Sequence, residues 1–128
     1  MANNIAFTSG PVQNGQVYRR ASIEGSAAGN KLDTAGDTTT YLDSDGWSQH
    51  DYTFNVASIG TNVVVALMGK LSPNGAAVEL VVSSAITANG AGKISYTGYA
   101  YQTALKLKSI SAGTPEINTI TAVASKPF

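Results

Sequence analysis

From Trp47 to Ala124 the chain is a succession of short runs rich in β-branched residues: Trp47-Ser58, Asn62-Leu71, Val78-Ser83, Gly92-Tyr96, Ala104-Ile110 and Ile117-Ala124. Between them stand Ile59-Gly60-Thr61, Ser72-Pro73-Asn74-Gly75, Asn89-Gly90-Ala91-Gly92 and Ala112-Gly113-Thr114-Pro115. These are turn-type residues, and they predict a break after each run. Runs of this length at this spacing imply an all-β sandwich or barrel. No window keeps a 3.6-residue apolar period over three turns, so helices are not expected.

Alternation within the runs assigns faces. Tyr52, Phe54 and Val56 alternate with Asp51, Thr53 and Asn55, which predicts a half-buried strand. Asn62-Leu71 is apolar on both faces, as in a central strand covered on both sides. Gly69 within it marks a bulge or a close contact. Ser72-Pro73-Asn74-Gly75 is a hairpin signal. Leu105 and Leu107 alternate with Lys106 and Lys108, and outward lysines discourage edge pairing.

Residues 1–46 read differently. Only Gln16-Glu24 is strand-like, after a turn signal at Gly10-Pro11 and Asn14-Gly15; Thr38-Leu42 suits a short strand. The expected organisation is an N-terminal arm over 1–15 and one sandwich domain over 16–128, best defined over 47–124. Ile5, Phe7 and Val12 are the apolar arm residues expected to lie on a neighbour or to swap between protomers.

Charged residues make up 12 % of the chain, against roughly 25 % in average soluble domains. Such a surface suits packing against other protein; the Thr/Ser/Asn-rich faces ordinary in many β-proteins explain it equally well. The formal net charge is zero, which argues against nucleic acid as the main partner, since phosphate neutralisation needs clustered Lys and Arg. The sequence has no cysteine, which excludes disulfides, thiolate metal sites and a cysteine nucleophile. Met1-Ala2-Asn3-Asn4 has neither a basic region nor an apolar run, so a signal peptide is not expected. No apolar stretch is long enough for a membrane-spanning helix.

No catalytic set is apparent. His50 is the only histidine. Asp51 adjoins it, but neighbours on a strand point to opposite faces, so a Ser-His-Asp arrangement is not expected, and His50 is read as strand-borne and partly exposed. Asp43-Ser44-Asp45-Gly46 resembles part of a Ca²⁺ loop but lacks the further ligands; turns stabilised by Asp side chains explain it as well. Asn89-Gly90-Ala91-Gly92 does not lead into a helix with a lysine, so it is no phosphate cradle. The expectation is therefore no catalytic residue, no metal and no cofactor. Trp47, Tyr99 and Tyr101 are the candidates for a sugar-stacking surface, with Tyr99 and Tyr101 on one face of a regular strand; core or interface packing is the plainer reading of the same rings.

Tyr52 to Gly60, then Val63 to Gly69, then Ser72-Pro73-Asn74-Gly75 resemble small β-sandwich domains of tailed-phage virion proteins. Ile86 to Gly90, Ser95 to Gly98 and Leu105 to Thr114 fit the same order of strands and turns. The resemblance covers roughly residues 47–124. Two positions depart from it: neutral residues stand around Thr103-Leu105 where that pattern often has an arginine, and Ala76-Ala77 where it has an aromatic. The resemblance implies an antiparallel β-sandwich, jelly-roll-like or immunoglobulin-like, and a structural role without enzymatic activity. A capsid decoration or cement protein on the outside of the shell, made in the host cytoplasm, is the leading expectation. Its partners would be the major capsid protein or other virion proteins and further copies of itself, a trimer first, with neither nucleic acid nor membrane. The alternative is a carbohydrate-binding module or a fibre or tail receptor-binding domain.

Overall fold

The computed structural model describes residues 31–125 in full, with the backbone of 4–5, 9–14 and 18–23. Nine strands and no helix occur among the described residues: β1 Asn4–Ile5, β2 Ser9–Asn14, β3 Tyr18–Ile23, β4 Thr38–Thr39, β5 Leu42–Asp43, β6 Gln49–Lys70, β7 Val78–Val82, β8 Gly90–Thr97 and β9 Gln102–Ser125. The architecture is an antiparallel β-sandwich, as expected.

Two strands organise it. β6 has 22 residues and β9 has 24, against about 5–6 for an ordinary strand. They pair antiparallel from Gln49↔Ser125 at one end to Lys70↔Gln102 at the other. Each half recruits different neighbours. The first half of β6 takes β8, and the second half of β9 takes β3, which takes β2. The second half of β6 takes β7, and the first half of β9 takes β4 and β5, with β1 parallel to β4. Inward side chains of both halves form one core: Tyr52, Phe54, Val56 and Ile94 meet Val63, Val65, Leu67, Leu105 and Leu107, with Ile117 and Ile120. Burying each such side chain stabilises the fold by roughly 1.5–3 kcal/mol.

This corrects the reading of Ile59-Gly60-Thr61 and Ala112-Gly113-Thr114-Pro115 as breaks between strands. Both lie inside continuous strands and face each other, with Ile59 opposite Gly113. They are a shared bend. Ser58, Ala112 and Gly113 take left-handed backbone angles, φ 56°, 68° and 76°, and the backbones approach so closely that a Cβ on Gly60 would collide with the Ala112 carbonyl. Turn-type residues end a strand when its pairing partner stops; here the partner bends with it. The amide of Ile59, at this bend, donates to Asn89 Oδ1 at 2.8 Å.

Register shifts keep the apolar residues inward. Thr53 faces Thr121 and Asn55 faces Asn118, so two steps on β6 match three on β9. The extra residue falls next to Thr119, at φ 50°, and it lets Ile117 and Ile120 share one side. Val64 faces Ser109 and Val65 faces Leu107, which leaves Lys108 outside the ladder, where its Nζ pairs with Glu79 at 2.9 Å.

Other expectations hold. Ala66 and Met68, on the outer face of β6, are buried with Ala104 under Tyr41. Gly69 is a close approach, packed under Leu80. Ser72–Gly75 closes by a hydrogen bond from Gly75 N to Ser72 O of 3.1 Å. Asn74 and Gly75 do not use the positive φ their types permit. The side chains of Ile5 and Val12, and all of Phe7, lie outside the described residues.

Candidate functional site

One end of the sandwich gathers most of the described aromatic side chains outside the core. The β5–β6 connection, 44–48, and the β8–β9 connection, 98–101, lie side by side there. Ser44 N donates to Tyr101 O at 2.9 Å, and Gly98 N donates to Ser48 O at 2.8 Å. Tyr101 N donates to Lys70 O at 2.7 Å, and Ser48 N to Ser125 O at 3.1 Å, which tie the loops to both long strands. Within the first loop, Trp47 N donates to Ser44 O at 3.1 Å, and Gly46 takes φ 89°, a conformation suited to glycine.

Tyr99 and Tyr101 therefore do not share a strand face; the chain from Gly98 to Tyr101 is a loop. Gly98, at φ 141°, turns the chain out of β8. Tyr99 is 51 % exposed, while Trp47 and Tyr101 are half-buried. The Tyr96 hydroxyl donates to Tyr99 O at 3.2 Å and holds the loop. The Tyr99 phenol is held above its ordinary value by partial desolvation, then by the charge of Asp45 and a hydrogen bond to it, then by Tyr101. The structure thus brings Tyr99, Tyr101 and Asp45 together, and carries Trp47 two residues from Asp45 on the same turn. Nothing local in the sequence joins residues 45 and 99, so the place of Asp45 beside these rings has no sequence signal.

Below the loops, His50 is 1 % exposed, which corrects its reading as partly exposed. Its position one step of alternation before Tyr52, Phe54 and Val56 carried that signal. The ring stacks on Tyr96 with centroids 5.9 Å apart. Nε2 lies 3.1 Å from Gly98 O; a carbonyl only accepts, so Nε2 carries the proton. Nδ1 is buried without a hydrogen-bond partner. Burial pushes the imidazole below its ordinary value, and the Gly98 carbonyl, Asp51 and the Trp47 backbone oppose this incompletely. Asp51 turns the other way, accepting from Ser95 Oγ at 2.5 Å and Gln49 Nε2 at 2.9 Å. His50 and Asp51 thus form no catalytic pair.

Two further carboxylates of this part of the chain are held by hydrogen bonds. Asp37 is buried and its Oδ2 accepts from the amides of Asp33 and Thr34, both at 3.0 Å. Asp43 Oδ1 accepts from Gln102 Nε2 at 3.2 Å. Among the described residues no group of three or more His, Cys, Asp or Glu side chains is arranged to hold a metal.

No protein-family model matches the chain, and no curated protein matches its sequence. Solved structures do match. The CBM22-1 xylan-binding domain from Paenibacillus barcinonensis Xyn10C is 12 % identical, with 86 % of this chain and 74 % of that one covered at a TM-score of 0.53. The SPBc2 prophage-derived protein YomS is 9 % identical, with 88 % and 98 % covered at 0.51. The K3 cleaved adhesin domain of Lys-gingipain from Porphyromonas gingivalis W83 is 10 % identical, with 84 % and 74 % covered at 0.50. At these identities the likeness is one of fold.

Proposed function

We propose that the chain is a non-enzymatic structural protein of a tailed-phage particle, a decoration or cement protein that binds across capsomers on the outside of the shell. The observation that carries this reading is the agreement of the sandwich with prophage-derived YomS over 88 % of this chain and 98 % of that one. Two further features support it. The groups best suited to chemistry are engaged in holding the fold, His50 under Tyr96 and Asp37 on two backbone amides. β7 pairs only with β6 among the described strands and exposes Val78 and Val82, 42 % each, an apolar edge suited to contact.

The mechanism is mass action: each bound copy stabilises the assembled shell over its separated capsomers. The partners are the major capsid protein or other virion proteins and further copies of the chain, a closed trimer first. Add-back tests this. Shells made without the chain and then supplied with it rupture at a higher temperature; an unchanged rupture temperature contradicts the cement role.

A second reading, a carbohydrate-binding or receptor-binding domain, is favoured by the half-exposed ring of Tyr99 beside Asp45.

A further inference from the structure

We propose that the paired loops 44–48 and 98–101 form a binding platform for a neutral oligosaccharide, with Tyr99 stacking on the sugar and Asp45 holding its hydroxyls. The inference rests on the second reading above and gives it a site and a ligand class.

The ring comes first. Among the described residues, Tyr99 is the one aromatic among the large apolar side chains left exposed. A pyranose offers an apolar C–H face that such a ring covers. The ring sits on a loop that is already ordered: its carbonyl accepts from Tyr96, and the backbones on either side of it are tied to Ser48 and Lys70. Little ordering remains to be done on binding, which favours affinity from a small contact. Leu71, 50 % exposed, follows Lys70 and extends the apolar surface at this end.

The polar partner comes next. The Asp45 carboxylate is exposed at the tip of its turn, next to the Tyr99 phenol. A carboxylate only accepts hydrogen bonds, while a phenol both donates and accepts. Sugar hydroxyls do both, and neighbouring hydroxyls can satisfy the two groups together.

Charge narrows the class. Asp43 and Asp45 are both exposed at this end. Lys70 is drawn over the ring of Tyr41, 4.9 Å from its centroid. Uronates, sialylated glycans and nucleic acid would meet like charge, so among oligosaccharides the ligand is a neutral one.

The test is titration calorimetry on the full chain, followed in parallel by the fluorescence of Trp47. The probes are cellohexaose, xylohexaose, mannohexaose and maltohexaose, with hexagalacturonate and a hexalysine peptide for contrast. At least one neutral hexasaccharide binds at millimolar concentration or below and shifts the Trp47 emission. Tyr99→Ala and Asp45→Asn each weaken it by about tenfold, and Val78→Ser, on β7, leaves it unchanged. Both loop positions are exposed, and unchanged melting curves confirm that the variants fold. A neutral sugar that binds the two loop variants as tightly as the parent overturns the site while leaving the carbohydrate reading standing. No binding of any neutral probe overturns both, and preferred binding of hexagalacturonate or hexalysine overturns the ligand class.

Discussion

The hydroxyl of Tyr52 lies 3.0 Å from Oγ1 of Thr103 in the buried interior, and the direction of that hydrogen bond follows from its neighbours. Thr103 Oγ1 also lies 2.9 Å from Ser44 Oγ, which in turn donates to the carbonyl of Leu42 at 3.1 Å. The carbonyl can only accept, so Ser44 spends its proton there. Thr103 must then donate to Ser44, and Tyr52 to Thr103. One directed chain of hydroxyls joins β6, β9 and the segment that leads into loop 44–48.

Breaking the middle of that chain removes two buried hydrogen bonds at once. Thr103→Val lowers unfolding stability by roughly 2–3 kcal/mol, and Tyr52→Phe, which removes only the terminal donor, by about 1 kcal/mol. Urea unfolding of the two variants beside the parent checks the order. Equal losses would mean that the hydroxyls do not act in series.

The shared bend makes a prediction about glycines. Gly60→Ala drives a methyl into the Ala112 carbonyl, and overpacking against backbone costs roughly 1–3 kcal/mol or more. At Gly46, φ is 89° but no atom lies within 4 Å of an added Cβ, so Gly46→Ala costs only the left-handed penalty of about 1–2 kcal/mol. Thermal melts of the two variants separate packing from conformation: Gly60→Ala falls further.

His50 gives the fold a pH dependence of known sign. In the folded state it titrates below its ordinary 6.5, pushed down by burial, so between the two values the unfolded chain binds more protons. Stability from this group is complete above pH 6.5 and is lost as pH falls through that value toward the folded one. His50→Gln keeps a donor for Gly98 O and removes the titration, so its stability changes less between pH 7 and pH 5. The Glu116 carboxyl is held below its ordinary 4.5 by Asn118 first and then Lys31, against partial desolvation. Its contribution is lost only as pH falls below 4.5, a separate and lower window. Urea midpoints across this range, for parent and variant, check both.

Asp37 is a buried carboxylate whose Oδ2 holds two amides. Asp37→Ala removes the acceptor for those amides, in the exposed turn that precedes β4, and costs roughly 1–2 kcal/mol; Asp37→Asn keeps an acceptor oxygen and costs less. Hydrogen exchange at Asp33 and Thr34 checks the assignment, rising in the alanine variant.

The residues that wrote themselves plainly in the sequence were those whose surroundings are set by alternation. Tyr52, Phe54, Val56, Leu105 and Leu107 point inward as their spacing requires, and the Ser72–Gly75 turn joins β6 to β7. Positions decided by a distant partner were not legible. Gly60 and Gly113 look like strand ends until it is seen that each bends against the other. Tyr99 looks like a strand residue until Gly98 turns the chain and Asp45, 54 positions earlier, arrives beside it. His50 was legible by alternation, yet its polar ring argued for solvent; stacking on Tyr96 and the Gly98 carbonyl make burial tolerable.

The central claim, a structural protein of a phage particle, is tested most directly by counting. Phage particles released by a host that makes the chain are purified on a density gradient and digested, and the chain is quantified by mass spectrometry against the major capsid protein. A decoration protein appears in a fixed, high ratio, close to one copy or one trimer per repeating capsomer site. Its absence from intact particles, with the protein abundant in the lysate, contradicts the account.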